Sequence, residues 1–127
     1  MKKILGAIAA LAMTVGLAAC GTPVSQGTAN QNQLVVGMEA GYPPFNWTQK
    51  DDSNGAVKIQ GTDQYAGGYD VEIAKRVAKQ LGKELVIVKT EWDGLTPALV
   101  SGKIDAIIAG MSPTEERKAT IDFTDSY

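Results

Sequence analysis

Three short apolar runs, separated by two stretches of helical periodicity, limit what this chain can fold into more than anything else in it. Leu34 to Met38, Glu84 to Lys89 and Ile104 to Ile108 are rich in aliphatic residues without polar alternation, and they read as strands buried on both faces. After the first run, Gly67-Gly68-Tyr69 leads into Ile73, Val77 and Leu81 at four-residue spacing, with Ala74 and Ala78 alongside. Glu72, Lys75, Arg76, Lys79 and Lys83 fall mostly on the opposite face. Asp70 near its start and Gly82 just past its end delimit that helix. Trp92 then stands in a short loop, and Asp93 can cap a brief helix closed by Gly102. Thr120 to Phe123 reads as one more short strand. The order strand, loop, helix, strand, helix, strand argues an α/β fold with a mainly parallel sheet. Ligands on such sheets bind at the carboxyl ends of the strands. Three loops meet that description: Glu39 to Phe45, Thr90 to Asp93, and Ala109 to Ser112. They should bring Glu39, Tyr42, Trp92, Ser112 and Arg117 together.

The last of those loops carries its own signal. Ser112 precedes Pro113, and Glu115 follows three residues later, which is the spacing of a capping box with proline at the first helical position. A helix N-terminus beside small residues can take an anion, and Arg117 can add a bidentate fork for a carboxylate. These residues alone leave open whether Arg117 serves an anion or points into water. Asn46 to Thr48 and Val57 to Ile59 can pair as a hairpin across Asn54-Gly55. The acidic run Asp51-Asp52 within it fails as a calcium loop, because Lys50 and Gly61 would occupy the first and last ligand positions.

The N-terminus reads differently. Met1-Lys2-Lys3 is followed by a small, apolar run to Ala18, too short for a span of about 20 residues and shaped like a signal peptide. It ends in Leu17-Ala18-Ala19-Cys20, which resembles a bacterial lipobox: a signal peptide over 1–19, then a cysteine that is lipidated. Two acyl chains on Cys20 would suffice for stable anchoring. Gly21 to Gln33 is polar and reads as a flexible tether with a reach of roughly 20 Å. The chain has 12 basic and 14 acidic residues, so no electrostatic footprint for nucleic acid. Without histidine, and with one cysteine, it offers no disulfide, no cysteine metal cluster and no Cys/His nucleophile. No metal site and no cofactor is expected.

Several segments together resemble a known family. Gly68-Tyr69-Asp70-Val71-Glu72-Ile73-Ala74, Tyr42-Pro43-Pro44-Phe45, Trp92-Asp93-Gly94-Leu95-Thr96-Pro97-Ala98-Leu99, Gly102 to Ile108 and Thr114-Glu115-Glu116-Arg117 are similar to the polar amino-acid branch of bacterial extracellular solute-binding proteins. These are the receptors of ABC-type importers. The resemblance covers Leu34 to Tyr127 in family order. It implies a periplasmic-binding-protein-like (type II) fold of two α/β lobes that close on ligand about a hinge. Residues 34–127 would be the first segment of lobe 1, with 20–33 as lipidated cysteine and tether. The second lobe and the segment that returns to complete lobe 1 would be missing, leaving an open sheet edge and no measurable affinity in this piece alone.

By the same resemblance, Arg117 grips the ligand α-carboxylate with Ser112 beside it, and a backbone carbonyl near Ala109 or Gly110 accepts from the α-ammonium. Tyr42 and Trp92 sandwich the ligand side chain, and Glu39 meets its distal polar group. Some relatives carry serine where Ala109 and Gly110 stand, so only backbone contacts carry over there. Asp70 and Glu72 are read as serving the helix dipole. The function implied is capture of a polar amino acid, arginine, lysine or glutamine foremost, by a monomeric, membrane-anchored receptor that delivers it to the membrane subunits of an importer without covalent chemistry. The competing classes are an enzyme on the same fold, similar to cyclohexadienyl dehydratase, and the sensing lobe of a membrane receptor.

Overall fold

A computed structural model describes residues 30–127. The signal-peptide reading, Cys20 and most of the tether reading lie outside the described residues. In chain order the elements are β1 (Gln33–Met38), β2 (Gly41–Tyr42), β3 (Asn46–Gln49), a 3-10 turn at Ser53–Gly55, β4 (Val57–Lys58), β5 (Tyr65–Gly67), α1 (Tyr69–Gln80), β6 (Glu84–Lys89), α2 (Trp92–Val100), β7 (Ala106–Ile107) and α3 (Glu115–Lys118).

Two sheets organise them. The first is parallel, in the order β6-β1-β7, so the most apolar run is the central strand. β1 pairs with β6 along its whole length, Gln33 opposite Glu84 through Met38 opposite Lys89. β7 meets β1 only at Val36 and Gly37, so the expected strand over Ile104 to Ile108 forms at two residues alone. The Asp105 side chain extends that pairing, its Oδ2 accepting from Val35 N–H at 2.8 Å. The second sheet is antiparallel, in the order β2-β3-β5-β4.

This order corrects the expected hairpin. β3 and β4 do not pair with each other, because β5 lies between them and bonds to both. Asn54 and Gly55 do take left-handed backbones (φ 56° and 75°), as a tight turn requires, but they close a 3-10 turn and not a two-strand connection.

The core lies between the helices and the first sheet. Val36, Met38, Ile59, Ala66, Ala74, Ile87 and Leu95 are at most 1 % exposed. α1 contributes Val71, Ala74 and Ala78, while Val77 and Leu81 stay exposed. The sequence stripe through Ile73, Val77 and Leu81 is therefore rotated: the small residues face the sheet, where a helix can approach closely. α1 ends in a Schellman motif, with Gly82 N–H donating to the Lys79 carbonyl and Lys83 N–H to that of Ala78. α2 ends the same way through Gly102 and Lys103. Thr120 to Phe123 forms no strand, although Ile121 is buried. Asn30 to Asn32 are fastened to the α1–β6 connection: Lys83 Nζ donates to the Gln31 carbonyl and Glu84 N–H to that of Asn32. That end of the stretch read as tether is thus tied down before β1 begins.

Candidate ligand-binding site

β1, β6 and β7 end on the same side, and the chain leaving each one lines a common cavity of about 320 Å³. Its walls are Glu39, Tyr42, Trp92, Ala109, Gly110, Ser112 and Arg117, the same seven residues singled out from the sequence. Glu39 follows β1 directly and is half-buried. Trp92 opens α2 shortly after β6 closes, and Ala109 to Ser112 follow β7. One acid and one base face a space otherwise walled by aromatic rings, small residues and a hydroxyl.

Arg117 is held from two sides. Its Nη1 donates to the Ser112 carbonyl at 2.8 Å, and its guanidinium lies over the Trp92 ring, 5.5 Å from the centroid. Both contacts fix the plane of the fork and cost it little charge, since a carbonyl and a ring face are weak acceptors compared with a carboxylate. The guanidinium keeps further N–H groups for an anion. Tyr42 packs instead on Phe45, with centroids 5.2 Å apart and planes at 24°. The Tyr42 ring also covers Gly110, where a Cβ would stand 3.6 Å from it.

Two caps differ from the sequence expectation. Thr114, not Ser112, begins α3: it is extended (φ −104°, ψ 158°) and its Oγ1 accepts from Arg117 N–H at 3.2 Å. Glu115 and Glu116 then fall in the first turn, where the dipole favours acids. Pro113 lies outside the helix, and Ser112 is left to present its carbonyl to Arg117. α3 is a single turn of four residues, so the anion-binding group at this corner is the Arg117 side chain and not a helix end. Asp93 does not cap α2 either. Glu91 occupies that position without a side-chain bond, and Trp92 is already helical, which aims its ring across at Arg117.

Beneath Tyr42 lies a polar cluster that the dipole reading of Asp70 did not anticipate. Asp70 and Asn46 are both fully buried. Asp70 Oδ2 accepts from Asn46 Nδ2 at 2.8 Å and its Oδ1 from the Tyr127 hydroxyl at 3.1 Å. Burial pushes the Asp70 carboxyl above its usual range, against the pull of those two bonds. Burial, then the Asp70 charge, pushes the Tyr127 hydroxyl up to about 12. Asn46 Oδ1 has no partner among the described residues. Glu72, by contrast, is exposed and pairs with Lys75 on its own helix, as the dipole reading allows. Gly68 joins this cluster to the Tyr42–Phe45 loop: its φ is 121°, and a Cβ there would sit 2.4 Å from the Phe45 carbonyl oxygen. Only glycine permits α1 to start that close to the loop.

The sequence reading missed Thr114, Asn46 and Asp70. Thr114 was findable, since a threonine three residues before Arg117 and followed by two acids fits a cap as well as Ser112 does. Asn46 was read only as a strand residue and Asp70 only as an acid at a helix start, and nothing local marked either as buried. Among the described residues no group of three His, Cys, Asp or Glu could hold a metal ion.

Residues 34–127 match the family described as bacterial extracellular solute-binding proteins, family 3. The chain is 35% identical to the arginine-binding extracellular protein ArtP of Bacillus subtilis over all of its own length and 45% of the relative's. It is also 35% identical to the glutamine-binding ABC transporter protein GlnH of the same organism, over 100% of this chain and 49% of that one. The chain thus spans about half the length of the curated relatives it matches. Among solved structures, the arginine-bound form of domain 1 from TmArgBP superposes with a TM-score of 0.62 at 42% identity, over 76% of this chain and 68% of that one. The α/β architecture is accordingly that of periplasmic amino-acid-binding domains, and the chain belongs to the bacterial extracellular solute-binding proteins of family 3.

Proposed function

We propose that this chain is the ligand-binding part of a lipid-anchored receptor that captures a polar amino acid outside the cytoplasm and presents it to an ABC-type importer. The observation that carries this reading is the cavity itself, in which one base and one acid flank a single space of about 320 Å³. A desolvated zwitterion needs charged partners, and Arg117 offers the fork for its α-carboxylate. A backbone carbonyl near Ala109 or Gly110 is the acceptor for its ammonium. Glu39 is then the group that reads the side chain. Glu39 is half-buried, and a ligand over it would desolvate it further; a carboxylate desolvated without a partner is costly, so arginine or lysine is the natural mate, with glutamine next. Relatives named for arginine and for glutamine fit those choices, beside others named for histidine and cystine. The Tyr42 and Trp92 rings bound the side-chain path, although each also packs on a neighbour, Phe45 and Arg117.

Two acyl chains on Cys20 would supply the anchor, the stretch after it the tether, and a single copy the working unit. The expectation that this piece alone has no measurable affinity stands, since it covers only 68% of the relative domain known in arginine-bound form. Calorimetric titration of the protein restored to the length of its relatives with arginine, lysine, glutamine and glutamate tests the reading, with Glu39→Gln in parallel. Arginine or lysine should bind best, and Glu39→Gln should weaken those two far more than glutamine. A preference for glutamate, or an equal shift for all four, would show that Glu39 does not read the side chain.

A further inference from the structure

Ala40 carries a left-handed backbone (φ 53°) although it has a side chain, and that side chain is buried. In this region Cβ crowds the following carbonyl oxygen, so such a residue persists only where its surroundings over-determine it. The surroundings here are Thr48, whose Oγ1 donates to the Ala40 carbonyl at 2.8 Å. The direction of that hydroxyl is itself fixed. Lys89 Nζ donates to the same oxygen at 3.2 Å, which occupies a lone pair and turns the O–H toward the carbonyl.

Both sheets meet in this bond. Thr48 lies in β3, opposite Ala66 of β5. Lys89 closes β6, opposite Met38 at the end of β1. The residue they fix is the immediate neighbour of Glu39, which lines the cavity, whereas Thr48 lines no part of it. Glu39 and Ala40 share one peptide plane, so any relaxation of φ at Ala40 swings the Cα–Cβ bond of Glu39 relative to Arg117 across the space.

We propose that Thr48 is a positioning residue for Glu39, and that through Ala40 it sets how strongly the cavity prefers a cationic side chain over a neutral amide. The proposal rests on Glu39 being the group that reads the ligand side chain. It makes β3, remote from the ligand, a determinant of ligand choice, and it accounts for a buried alanine held in a conformation that glycine would adopt at no cost. Thr48 does not touch ligand. Its effect is confined to the one group it aims, so it should alter selectivity and not affinity in general.

The experiment reads the ratio of arginine to glutamine affinity by calorimetry on the protein restored to the length of its relatives, of which this chain spans about half. Thr48→Val keeps the shape and removes the hydroxyl, and Thr48→Ser keeps the hydroxyl. Thr48→Val should lower the ratio roughly three- to tenfold, the scale of one intramolecular hydrogen bond, and Thr48→Ser should restore it. On a Glu39→Gln background Thr48→Val should add nothing, because the two changes act through one group. A Thr48→Val protein that weakens both ligands equally, a serine that fails to restore the ratio, or a full additional shift on the Glu39→Gln background overturns the proposal. If Glu39→Gln lowers the ratio and Thr48→Val does not, the positioning role alone fails. If Glu39→Gln itself leaves the ratio unchanged, or the unaltered restored protein binds neither ligand, the reading of the site fails and the positioning role with it. Should Thr48→Val not fold, Lys89→Met at an exposed position decides. Removing a cation would by itself favour a cationic ligand, so a lowered ratio there can come only from lost positioning, and an unchanged or raised ratio overturns the proposal.

Discussion

Replacing Arg117 by lysine and by alanine separates charge from shape at the corner where the α-carboxylate is proposed to sit. Alanine removes both. Truncating one partner of a desolvated charge pair costs about 2–5 kcal/mol, or roughly thirty- to four-thousandfold in affinity. Lysine keeps the charge but loses two things the structure shows. One is the hydrogen bond from Nη1 to the Ser112 carbonyl at 2.8 Å, and the other is the guanidinium's place over the Trp92 ring, 5.5 Å from the centroid. At about 1 kcal/mol for the bond and about 0.5–1 kcal/mol for the ring, Arg117→Lys should cost about 1.5–2 kcal/mol, roughly ten- to thirtyfold. The α-carboxylate is common to all amino acids, so both losses should be the same for arginine, lysine, glutamine and glutamate when titrated by calorimetry into the restored protein. Thermal unfolding should register the lysine variant at less than about 1 kcal/mol, because Arg117 is only partly buried and its contacts are screened. A lysine variant that binds as well as the unaltered chain would refute the argument from the fork. A loss confined to one of the four ligands would place Arg117 at the side chain instead.

Three further outcomes follow from particular atoms. Gly68→Ala should destabilise the chain by about 2–5 kcal/mol in urea unfolding, since it adds backbone strain at φ 121° to a Cβ placed 2.4 Å from the Phe45 oxygen; a variant of unchanged stability would mean that the loop and α1 are not packed so closely. Asp70→Asn should flatten the pH dependence of stability. With its carboxyl pushed above the usual range, Asp70 binds its proton more readily folded than unfolded, so the unaltered chain should gain stability relative to the variant as pH falls from 7 toward 4, and a constant difference across those values would refute this. Cys20→Ala in cells should abolish fatty-acid labelling and release the protein from the membrane fraction; equal labelling and anchoring would end the lipoprotein reading.

How much of this was legible in the sequence depended on whether the signal was periodic or relational. β1 was legible because a strand buried on both faces has to be apolar nearly throughout; β6 and β7 carry similar runs but lie nearer the edge, with Ile87 the one buried residue of β6 and both residues of β7 half-buried. Parallel strands joined by crossovers end on one side of the sheet, which is why five of the seven cavity residues could be named without coordinates, Ala109 and Gly110 coming from the family resemblance. The hairpin was misread because Asn54-Gly55 encodes a local turn, whereas strand order depends on β5, whose residues Tyr65 to Gly67 carry no strand pattern. The Ser112 cap was misread because two cap-forming residues flank Pro113, and it is the Thr114 hydroxyl that reaches an N–H group of α3. The apolar face of α1 was read partly off: Ala74 and Ala78 are buried and Ile73 packs on the core as expected, but Val77 and Leu81 stay exposed while Val71 is buried.

Four residues around the segment from Glu39 to Asn46 share a property. Ala40, Asn46, Gly68 and Asp70 each break a local rule: a left-handed alanine, a buried amide with an orphaned oxygen, a glycine opening a helix, and a buried carboxylate. Each is unfavourable alone, and local departures of this kind concentrate where a structure gives up stability for geometry. All four lie within or beside the segment from Glu39 to Asn46. Thr48 holds Ala40, Asp70 holds Asn46, and the absent side chain of Gly68 admits the Phe45 carbonyl. The segment between them is therefore clamped at both ends and pressed from beneath. It carries Glu39 and Tyr42, the acid of the cavity and one of its two rings, and neither residue belongs to a helix or to the parallel sheet. Arg117 and Trp92 need no such clamp, because each is seated on a helix and they hold each other. The strain thus sits where rigid elements are missing, and it does for Glu39 and Tyr42 what α2 and α3 do for Trp92 and Arg117.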